Sequence, residues 1–120
     1  MPASTVAVPV VFGHWERFLH WLLDRTEKFP KRVLHTFRLR IDNLALDTFE
    51  LLVEARFSRE RAPLLVRINL NLEKLRLLLR LAHDQRLLDP KAFTYACEEI
   101  DQVGRMIGGW LRSQTQGNSR

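Results

Sequence analysis

The stretch "APLLVRINLNLEKLRLLLRLAHDQR", residues 62–86, decides the fold. Read at a helical period, Leu64, Ile68, Leu72, Leu75, Leu79 and Ala82 fall on one face, while Val66, Leu70, Leu77 and Leu81 fall on another. A narrow polar strip of Asn69, Glu73, Arg76, Arg80 and His83 separates the two. A helix in a small monomeric bundle needs only one buried face. Leucines do spill onto surfaces singly, but an ordered second row predicts burial outside the chain's own core.

The same pattern recurs upstream. Over about 31–57, Val33, Phe37, Ile41, Leu44, Leu51, Leu52 and Ala55 make a broad apolar face, and Leu39, Leu46 and Val53 repeat every seven residues on the other side. "SRERAP" (58–63) reads as the turn between these helices, with Ser58 as N-cap and Pro63 in the first helical turn. Downstream, "LLDPKAF" (87–93) reads as a second turn, with Asp89 as N-cap and Pro90 opening a last helix to about residue 113. A first helix is expected over about 12–28, with Phe12, Trp15, Leu19 and Leu22 at helical spacing, ended by "FPKR" at Pro30. The expected organisation is a flexible arm (1–11), a four-helix domain (12–113) and a disordered tail (114–120). The fold class is all-α, an antiparallel up-down four-helix bundle. The double apolar faces predict assembly into a homo-oligomer through Leu39, Leu46, Val53, Val66, Leu70, Leu77 and Leu81.

"GRMIGGW" (104–110) holds three of the chain's five glycines beside Trp110. Glycine inside a helix costs about 1 kcal/mol against alanine. Ala96, Ile100, Gly104 and Gly108 recur every four residues, which predicts a groove for close helix packing, flanked by Ile107 and Trp110. A helix C-cap at Gly108–Gly109 is the other reading; "WLRSQ" favours a continued helix.

The formal charge is +5, with 19 Lys and Arg against 14 Asp and Glu, and arginine makes up most of the basic residues. Guanidinium forks suit phosphate. The charges segregate: Lys28, Lys31, Arg32, Arg38 and Arg40 are uninterrupted by any acid, and Asp42, Asp47, Glu50 and Glu54 follow unopposed. Catalytic patterns are missing. No Glu-x-x-His supports a di-metal site, the four histidines are scattered, and no Walker A, HExxH or GxSxG motif occurs. The single Cys97 permits no intrachain disulfide. The expectations are no enzyme, no metal and no cofactor. The N-terminal "MPASTVAVPVVFGHW" lacks a basic n-region and a spanning length, so a cytoplasmic protein without a membrane anchor is expected.

"FPK" (29–31), "LRLLLRLA" (75–82) and "VGRMIGGWL" (103–111), in this order and spacing, resemble a family of small four-helix bundle proteins. That family contains the Avd accessory proteins of diversity-generating retroelements and the proteins encoded in intervening sequences of bacterial 23S ribosomal RNA genes. The resemblance covers roughly 12–113. It implies a homopentamer, a barrel of five bundles whose basic surface binds RNA and DNA without strong sequence preference. In the Avd branch it also implies partnership with the retroelement's reverse transcriptase and its template RNA. Arg76 and Arg80 match basic positions of the Avd pattern, and Lys31, Arg32, Arg38 and Arg40 complete the expected nucleic-acid-binding set. The other branch implies a scaffolding oligomer with no reverse-transcriptase partner.

Overall fold

The computed structural model describes the backbone of residues 2–118 and the side chains of residues 10–114. Four helices carry the chain: α1 (Pro2–Thr26), α2 (Leu39–Phe57), α3 (Ala62–Asp84) and α4 (Pro90–Asn118). Each packs against its neighbour in sequence, and α1 closes the bundle against α4. The result is a rod of 52 × 24 × 20 Å. No strand occurs among the described residues.

Spacings of three and four put Trp15, Phe18, Leu22, Ile41, Leu52, Ile68, Leu75, Leu79, Ile100 and Ile107 fully inside. Leu65, on neither predicted face of α3, is also fully buried, while Leu64 packs only at the core's edge. Two of the hydrogen bonds made by buried side chains join α1 to α2. Trp15 Nε1–H donates to the Ala45 carbonyl at 3.1 Å. The buried Thr26 hydroxyl donates to Asp42 Oδ1 at 2.6 Å, tying the end of α1 to α2.

Several boundaries differ from the sequence expectation. α1 begins at Pro2 rather than near Phe12, so the backbone expected as an arm is helical, and Val11 is a core residue. α4 runs to Asn118, past the expected end at 113. The remaining positions of the expected arm and tail, residues 1, 119 and 120, lie outside the described residues. Ser58 is not an N-cap: it closes α2 in extended conformation, and α3 starts behind Arg61 without a side-chain cap. Arg61 serves this turn instead, donating from Nε to the Ala55 carbonyl at 2.8 Å and from Nη2 to the Arg56 carbonyl at 3.1 Å. Asp89 does cap α4, accepting from the Ala92 N–H at 2.7 Å, with Pro90 as the first helical residue.

The expected start of the second helix resolves into a 3-10 turn (Lys31–Val33) and a π-helical turn (Leu34–Arg38) before α2 proper. The cause is legible in the spacing. Val33, Phe37, Ile41 and Ala45 repeat every four residues, and in a straight α-helix that row drifts off the core face. A wider turn keeps Val33 and Phe37 in line with Ile41.

Candidate nucleic-acid interface

Arg76 and Arg80 stand on the flank of α3 that faces α4, but in different states. Arg76 Nη2 pairs with Asp101 of α4 at 2.6 Å and reaches Glu73 at 3.5 Å. Its Nε is buried with no hydrogen-bond partner. Arg76 is therefore an α3–α4 tie as well as a cation. Arg80 is exposed, and no carboxylate among the described residues lies within ion-pair distance.

The structure adds two arginines that sequence reading missed. Asp101, Arg105, Gly108 and Arg112 recur on one face of α4, and with Gly104 and Arg76 they line a cleft of about 510 Å³. Arg105 and Arg112 are exposed, with no carboxylate partner among the described residues. The signal was present as a four- and seven-residue recurrence along α4. It could not be assigned to a site without knowing that α4 lies beside the Arg76 strip.

Lys31, Arg32, Arg38 and Arg40 do not join this cleft. They sit at the α1–α2 corner, where Lys31, Arg32 and Arg40 are exposed and Arg38 Nε lies 3.8 Å from Asp42. Burial pushes the Asp42 carboxyl above its ordinary range, opposed by the Thr26 hydrogen bond and the Arg38 charge. Contrary to the sequence expectation, the other acids of α2 are not unopposed. Asp47, Glu50 and Glu54 share a groove with Arg67 and Lys74 of α3. The α2/α3 flank is thus mixed in charge and the α3/α4 flank is arginine-rich.

The close packing expected at Gly104 and Gly108 is absent within the chain. A Cβ at Gly104 would meet Leu72 Cδ1 at 3.9 Å, and one at Gly108 would meet only the Arg112 guanidinium, at 3.5 Å. Both are ordinary contacts: Gly108 faces the cleft, and Gly104 lines it beside Leu72 of α3. The C-cap reading of Gly108–Gly109 also falls, since α4 continues through both. Trp110 is buried on the opposite side, with the Arg61 guanidinium 5.6 Å from its ring centroid.

The second apolar rows lie on the outside of this chain. Val66, Leu70, Leu77 and Leu81 are 52–55% exposed, Leu39 and Leu46 are 38% and 39% exposed, and Val53 is half-buried. Phe57, at 78%, extends the α2 row. Burial raises the Cys97 thiol above its ordinary range, which keeps it protonated. No helix among the described residues is long and apolar enough to cross a membrane.

The chain is thus an all-helical bundle with an arginine-lined flank and a separate exposed apolar face. The sequence matches the bAvd-like family over residues 10–114, and the chain belongs to that family. Membership places it, at family level, with the accessory proteins of diversity-generating retroelements, a family that is not catalytic. No curated protein matches the chain.

Proposed function

We propose that this protein is a nucleic-acid-binding accessory factor of a diversity-generating retroelement, acting as a homopentamer that associates with the element's reverse transcriptase and template RNA. The observation that carries this reading is family membership across 10–114. The α3/α4 flank supports it, with Arg80, Arg105 and Arg112 exposed and unpaired among the described residues. Repetition of that flank around a symmetry axis would sum its potential into a strong anion-attracting surface. RNA and DNA are bound through their backbones, without strong sequence preference. A scaffolding oligomer of the intervening-sequence type is the alternative.

Fluorescence anisotropy with labelled duplex DNA, RNA–DNA hybrid and single-stranded RNA, at several salt concentrations, tests the binding. Affinity is expected to fall log-linearly with salt through counterion release. An assembled oligomer that binds none of the probes at low salt would leave the scaffold. Co-purification with the reverse transcriptase of the same element tests the partnership, and its absence would overturn that part alone.

A further inference from the structure

Glycine destabilises a helix interior relative to alanine, yet α4 carries Gly104, Gly108 and Gly109 in its interior. The chain's own packing does not demand them. A Cβ at Gly104, Gly108 or Gly109 would find its nearest neighbour at 3.9, 3.5 or 3.8 Å. Gly104 and Gly108 lie against the cleft between α3 and α4, so their missing side chains open its floor.

The walls define what the floor is open to. Every residue lining the cleft is arginine, aspartate or glycine: Arg76, Arg105 and Arg112 against Asp101 alone. The side chains lining it are charged, with Leu72 Cδ1 of α3 beside the Gly104 position, whereas the centre of a protein–protein interface is poor in charge. Arg76 is pre-positioned by Asp101 at 2.6 Å, so little side-chain freedom remains to be lost when an anion arrives. The Arg112 guanidinium lies along α4, near where Cβ atoms of residues 108 and 109 would be. Arg105 and Arg112 are seven residues apart, about 10 Å of helix rise, a span over which one strand presents more than one phosphate.

We infer that the Arg76–Arg105–Arg112 cleft is a phosphodiester seat, in which Gly104 and Gly108 let the sugar-phosphate backbone approach the α4 backbone. This rests on the nucleic-acid-binding reading and specifies where on the chain it happens. The glycines and the α4 arginines then have one reason: the glycines give depth and the arginines give charge.

The test uses the full chain and anisotropy with a labelled duplex and a labelled single-stranded RNA. Arg105→Ala/Arg112→Ala is expected to weaken binding about tenfold or more at low salt and to reduce the log–log salt slope by about 2. Gly104→Ala/Gly108→Ala is expected to raise Tm, because helix propensity improves, and yet to weaken binding. A merely structural role for the glycines cannot produce that combination. If the parent binds and both double variants bind equally well, the cleft is overturned while the general reading stands. If the parent binds neither probe, both fall. If the glycine variant changes the oligomer's mass in light scattering and not its affinity, the cleft belongs to a second copy of the chain. Displacement of the probe by inorganic phosphate at constant ionic strength would reassign the cleft to a free oxyanion.

Discussion

Arg86 has a φ of +64°, in the region that L-residues other than glycine rarely occupy. It sits there because α3 ends in a Schellman turn. The Leu87 N–H donates to the Ala82 carbonyl and the Arg86 N–H to the His83 carbonyl, both at 2.9 Å. Arg86→Gly should therefore stabilise the fold by about 1 kcal/mol, measured by urea denaturation; an unchanged or lower midpoint would show that the arginine side chain contributes more than its strain costs. Asp42 gives a second residue-scale prediction. Its folded pKa is raised, so the folded state holds this proton more tightly than the unfolded chain does. The contribution is present below the ordinary carboxylate range and is lost as pH rises through the raised value. Asp42→Asn keeps an acceptor for Thr26 and removes the titration. Its stability should vary less with pH than the parent's between about pH 4 and pH 7, and denaturation midpoints across that interval check it.

Among the elements, the turns depend on side chains that periodicity does not reveal. Arg61 satisfies carbonyls at the end of α2 and covers Trp110 of α4, so it links three helices. Arg61→Ala should destabilise by about 1–3 kcal/mol, and Arg61→Lys should recover only part, since an ammonium lacks the planar fork. Equal midpoints for parent and alanine variant would refute the clamp. Sequence could not show this, because "SRERAP" offers Ser58 as the obvious cap and Arg61 acts across five and six residues. The core rows of α2 and α3 were legible because their apolar spacing is regular. Adjacent Leu64 and Leu65 were not separable, and only packing shows that Leu65 goes inside. The start of α1 was not legible, since Pro2 and Pro9 fall where it begins, and the π turn was hidden by a spacing of four that looks helical. Half of the candidate site was visible on α3 as Arg76 and Arg80. The α4 half depends on which helices are neighbours, information that sequence spacing does not carry.

For the whole molecule, the outer rows set the strongest expectation. A single chain exposes Val66, Leu70, Leu77 and Leu81 along α3 and Leu39, Leu46 and Phe57 along α2, each at least 38% open to water. Exposed apolar rows of this length are typical of surfaces covered by a partner. Regular recurrence on two helices fits a repeated contact between copies in a closed ring. The intrachain core lies on the opposite faces of both helices, so the two burials are separable. Leu46→Asp or Leu77→Asp places a carboxylate where the ring would bury leucine, and desolvating it would cost more than the contact returns. Each variant should lower the mass in light scattering from five times the 14.1 kDa chain toward one, with the far-ultraviolet helical signal largely retained. Nucleic-acid affinity should fall along with assembly, because one flank carries few unpaired arginines and a ring would multiply them. A parent that scatters as a monomer at micromolar concentration would remove the ring. A dissociated variant that binds as tightly as the parent would show that each flank acts alone.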